Sequence, residues 1–242
     1  MYRSFEHRKT YNFTEHSFAM GGINLHEIFD EAAWSKISAF FASQFGGCEI
    51  CGETGGAILA CLGDKSGRKQ SSVDAHEFLR TLEVEGPARI GVMELTGIVI
   101  LCATHHACFH RMQFARRSSE FMHEQEAIYR VLTQIARLAN FQYKEEFFAI
   151  EEATKKKYME FNDTSSEVAI DLSFIGRIPG LGDTYFKMRK DSPVKFENII
   201  GVNIELNGVR QKAISRDEWA AQRGLVIRDS SELILPEKKF SL

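Results

Sequence analysis

An α+β fold is what this sequence predicts, and three observations carry the expectation. Cysteine and histidine clusters at 48–51 and 102–110 bracket an apolar, strand-like stretch. Apolar residues recur at helical spacing over 25–45 and again over 119–139. Near the end, Asn207-Gly208 separates two strand-like runs, a strong β-hairpin signal. The architecture expected is a zinc-stapled unit over 1–117, a helical spacer over 118–162 and a small α+β module over 163–242.

Taken in order, residues 2–18 interleave Tyr2, Phe5, Tyr11, Phe13 and Phe18 with Arg3, Arg8 and Lys9, which reads as a solvated edge strand. Ile28, Phe29, Ala32, Ala33, Ile37, Phe40 and Phe41 then define one helix, stopped by Gly46-Gly47. A polar loop follows over 63–72, where Lys65, Arg68 and Lys69 could meet phosphates. Val73 to Leu79 reads as a short strand and Arg80 to Met93 as an outward loop with Gly86-Pro87 at its turn. Glu94 to Leu101 returns as a strand. Helices are expected from Cys102 to Arg116, Ser119 to Ala139 and Tyr143 to Phe161. Beyond Asn162-Asp163 the composition shifts, and Val168 to Phe174 alternates as a strand. Ser215-Arg216-Asp217-Glu218 is a capping box opening a short helix that Gly224 closes, with further strands at Val226-Ile227 and Leu233 to Leu235.

The chemistry lies in the two clusters. Cys48-x-x-Cys51-Gly52 has the form of a zinc knuckle, in which two thiolates share one metal and Gly lets the backbone reverse. Cys102 and His105 repeat the spacing and complete a tetrahedral Cys3His set, with Cys108 the rival fourth ligand. His106 and His110 stand four apart, about 40° around a helix, whereas His105 points about 100° away from His106. A structural zinc site has no use for that second pair.

Composition bounds the rest. At 242 residues the chain can bury a sizeable core, and its 44% apolar and 26% charged content suits a globular protein. A net charge of −3 excludes a global positive field, so contact with DNA must come from local patches. Arg111, Arg116 and Arg117 form one such cluster. Of five cysteines, four fall in the clusters, which points to metal binding in a reducing compartment and a cytoplasmic setting. No run has the length of a membrane span.

Together, Cys48-x-x-Cys51, the strand carrying His76, and Gly97-Ile98-Val99-Ile100-Leu101-Cys102-x-x-His105-His106-x-x-x-His110 resemble the zinc-bearing HNH (His-Me finger) nucleases over residues 46–117. The resemblance implies a ββα-metal finger with structural Zn2+ on Cys48, Cys51, Cys102 and His105. It makes His76 the general base and turns His106 and His110 toward a catalytic Mg2+ or Mn2+. Asp74 shares the strand face of His76 and is the carboxylate expected at that ion. In the alternative register His76 is a metal ligand and Glu77, on the opposite face, is the base. His105 stands where the family usually carries a fourth Cys, and Gly97 near the usual middle Asn. The function implied is metal-dependent cleavage of DNA. The alternative is a zinc scaffold, without cleavage, that binds DNA or a protein partner, or pairs with its own copy.

Overall fold

The computed structural model describes residues 23–52, 73–139 and 144–228. Its architecture is mixed α+β, built on two long antiparallel strands, β1 (Val73–Glu85) and β2 (Ile90–Cys102). The loop expected over 80–93 is instead the far half of this hairpin: Leu82 still pairs with Val92, and the turn is confined to 86–89. A β-bulge interrupts the alternation of β2 within this hairpin. Phe78 faces Gly97 and Leu79 faces Leu95, so Thr96 is the extra residue, and its hydroxyl donates to the Phe78 carbonyl at 3.2 Å. Past the bulge the alternation changes phase, which puts Met93 and Leu95 in the same core as Ile98 and Ile100.

One face of the hairpin packs that core against α1 (Leu25–Ile28) and α2 (Glu31–Ala42). The single helix expected here breaks at Phe29-Asp30. Asp30 caps α2 by accepting from Ala33 N at 2.8 Å, and Phe29 bridges to Met188. The opposite face carries α3 (Ala103–Phe109), α4 (Arg111–Ser118), α5 (Met122–Ala139) and the start of α6 (Phe147–Thr164), whose Tyr158 and Phe161 pack back into the first core. The expected spacer is therefore part of a core: Ile128, Leu132, Ala136 and Phe147 pack with Val99, Leu101 and Phe109. Val131 and Leu138, assigned by periodicity to the apolar side of α5, are exposed.

The composition shift after residue 162 does not separate two bodies. β3 (Glu167–Asp171) runs parallel to β2, β5 (Ile199–Ile200) parallel to β3, and β8 (Val226–Arg228) antiparallel to the end of β1. The sheet order is β5-β3-β2-β1-β8. The shift marks a passage from charged helix to buried strand within one sheet. After β3 come α7 (Ser173–Gly176) and a small second sheet of β4 (Tyr185–Lys187), β6 (Asn203–Leu206) and β7 (Val209–Gln211). Asn207 (φ 51°) and Gly208 (φ 83°) form the expected tight turn. α8 (Arg216–Ala221) opens on Ser215, which accepts from Glu218 N, and its Arg216 pairs with the buried Asp171 and with Glu94. Among the described residues no helix is long and apolar enough to cross a membrane. The strands expected over 2–18 and 233–235 and the loop expected over 63–72 lie outside the described residues.

Candidate metal centre

The first donor group is assembled by a clamp between the knuckle and the end of β2. Glu49 N donates to Ile100 O at 2.8 Å, and Ile100 N donates back to Glu49 Oε1 at 2.9 Å. This seats Cys48 and Cys51 beside Cys102, while Gly52 takes a left-handed φ of 78° to reverse the chain. Cys48 Sγ and Cys102 Sγ lie 3.5 and 3.3 Å from His105 Nδ1, and Cys51 Sγ lies 3.9 Å from Cys102 Sγ. Ligands around a tetrahedral zinc stand roughly 3.5–3.8 Å apart, as follows from bond lengths of about 2.0–2.3 Å. These four residues can hold a metal ion, and their donor set is compatible with zinc.

The thiols are electrostatically interlocked. A hydrogen bond from Cys102 holds Cys48 well below the usual thiol range, against the opposing effect of burial and with help from His105. Donating that bond pushes Cys102 up, and its own burial adds to the rise. Cys108 belongs elsewhere. It is fully buried in the core under α3, where burial pushes its thiol up to about 12, and it falls outside the four-residue group.

A second group forms on the same face. His76 from β1 meets His106 and His110, with potential ligand atoms within 4.8 Å of one another. Ring centroids lie 5.3, 5.1 and 5.1 Å apart, a nearly equilateral triangle. The expected continuous helix is broken at His110 (φ −116°, ψ 37°), yet His106 and His110 still converge. His76 is 3% exposed and stacks on Phe109 at 4.2 Å, with the Phe78 ring edge-on at 5.6 Å. Apolar rings thus fix its orientation.

Two carboxylates sort by strand face. Asp74 lies on the face of His76, as alternation requires, but its Oδ2 meets His106 Nδ1 at 2.9 Å and it stands outside the histidine trio. Through that contact Asp74 meets the trio at His106. Glu77 points into the opposite core, where its Oε1 accepts from Leu25 N at 3.0 Å and burial pushes its carboxyl up. The register that made Glu77 the base is incompatible with that position. Gly97 sits beside the bulge, opposite Phe78.

Arg111 departs furthest from its expected role on phosphate. It is wholly buried, donates Nη1 to Cys108 O at 2.8 Å and pairs through Nη2 with the buried Glu151. Its guanidinium also lies 5.7 Å from the ring centroids of Tyr129 and Phe147. Arg116 and Arg117 are exposed as expected. Nothing local marks Glu151 as the partner, since it stands in an acidic run that reads as solvated. Glu49 carries no local signal either, because its partner, Ile100, is far along the chain. Scanned against protein-family models, curated proteins and solved structures, the chain matches none.

Proposed function

We propose that the chain is a metal-dependent DNA endonuclease of the HNH type. In this reading Cys48, Cys51, Cys102 and His105 hold structural Zn2+, and His76, His106 and His110 hold the catalytic ion. One observation supports it above the others: adjacent residues, His105 and His106, serve two separate donor groups on a single ββα unit. Stapling the unit accounts for the first group; the second is left for chemistry.

Three imidazoles suit Zn2+, Ni2+ or Fe2+ better than Mg2+, which favours oxygen ligands. Bound there, such an ion would polarise a phosphoryl oxygen and acidify water. The chain's own residues position it. Phe109 and Phe78 pin the ring of His76 in the triangle, which favours a ligand's role over that of a free base. Arg116 and Arg117, exposed on α4, supply local positive charge for the DNA backbone. The scaffold reading draws its support from Gly97, which offers no side chain to orient the site.

Plasmid nicking, measured with Mg2+, Mn2+, Ni2+ and Zn2+ in turn, separates the two readings. Nicking that His110→Ala abolishes is the expected result. His76→Ala should lose the second ion together with cleavage; as a base alone, His76 would contribute about 10²–10⁴-fold in rate and leave the ion in place. Absence of nicking with every ion, alongside tight binding of DNA or a protein partner, would establish the scaffold instead.

A further inference from the structure

We infer that Asp74 is a positioning residue of the histidine trio, acting through His106 rather than as a ligand. The assignment rests on the trio holding a metal and is independent of DNA cleavage. A carboxylate only accepts hydrogen bonds, so the 2.9 Å contact between Asp74 Oδ2 and His106 Nδ1 places the proton of His106 on Nδ1. Nε2 is then the nitrogen left to His76 and His110. The contact also sets the ring's rotation, because Asp74 sits at a fixed register of β1, paired with Leu101 one residue before Cys102. His106 is thereby oriented from the strand while its backbone is set by α3.

This division follows from the neighbouring residues. His105 turns Nδ1 toward the thiols of Cys48 and Cys102, whereas His106, one position on, turns Nδ1 toward Asp74. The two imidazoles thus present different nitrogens to two sites, and the carboxylate enforces the choice at the second. The other two members of the trio are oriented differently: His76 by aromatic packing against Phe109 and Phe78, His110 by the break between α3 and α4. A carboxylate behind a ligating imidazole also raises its basicity, and losing such a partner typically weakens metal binding by about 10–100-fold.

The experiment compares wild type, Asp74→Asn and Asp74→Ala, each loaded with one zinc. Ni2+ is titrated calorimetrically, and the tautomer of His106 is read from imidazole nitrogen shifts. Asp74→Ala should bind Ni2+ about 10–100-fold more weakly and lose the fixed Nδ1–H tautomer. Asp74→Asn keeps an acceptor for Nδ1–H but not the negative charge, so it should retain the tautomer and lose less affinity than Asp74→Ala. If Asp74→Asn loses as much Ni2+ affinity as Asp74→Ala while keeping the tautomer, Asp74 is a direct ligand and the inference falls. It falls also if Asp74→Ala binds like wild type. Wild type that takes up no second ion overturns the metal reading of the trio itself, a result distinct from either.

Discussion

Removing Arg111 should be among the most damaging single changes to this fold. Arg111→Ala strands Glu151, a carboxylate only 4% exposed, without its counter-charge and leaves Cys108 O without its 2.8 Å donor. Breaking a buried ion pair from one side costs about 3–5 kcal/mol. Loss of the hydrogen bond to that carbonyl costs about 0.5–1.5 kcal/mol. The two do not simply add, because both losses fall within one hydrogen-bonded network. A net loss of about 3–5 kcal/mol is expected, large against the roughly 5–15 kcal/mol that holds a typical domain together. Urea unfolding of the zinc-loaded protein, followed by circular dichroism, measures it. Arg111→Met with Glu151→Leu removes both charges and keeps apolar volume, so the double variant should recover most of the loss. The reasoning is refuted if Arg111→Ala costs under about 1 kcal/mol and instead weakens DNA binding as Arg116→Ala does. Arg111 would then serve phosphate after all.

Purified protein should carry about one tightly bound zinc per chain. Cys48→Ser and His105→Ala should lower that content, and Cys108→Ala should leave it intact; full zinc in His105→Ala with loss in Cys108→Ala would reverse the ligand assignment. Glu77 gives a pH signature. Burial raises its carboxyl in the folded state, so the native protein holds that proton more tightly than the unfolded chain does. The stability this confers is present at low pH and is lost as pH rises from the usual carboxyl range, near 4.3, through the raised folded value. Glu77→Gln keeps an acceptor for Leu25 N and should flatten the fall, as urea midpoints between about pH 4 and pH 7 would show. An unchanged slope would mean that Glu77 does not titrate out of range.

What the sequence determined alone was local. The spacing of Cys48 with Cys51, and of Cys102 with His105, dictates which donors one metal can share. The i, i+4 relation of His106 and His110 brings two imidazoles together even across the helix break. Turn and cap chemistry at Asn207-Gly208 and at Ser215 needs only neighbours, because it depends on the backbone conformations those residues tolerate. Tertiary structure decided whatever depends on a distant partner. An extra residue at Thr96 reversed the alternation of β2 and carried the hairpin through an apparent loop. Strand pairing drew β3, β5 and β8 into the sheet of the metal unit across a change in composition. Charge on Arg111 looked available to DNA until Glu151, forty residues along, claimed it within the core. Asp74 and Glu77 carry the same functional group three positions apart. Only the opposing faces of β1, one toward α3 and the other toward Leu25, made the first a partner of His106 and the second a buried acid.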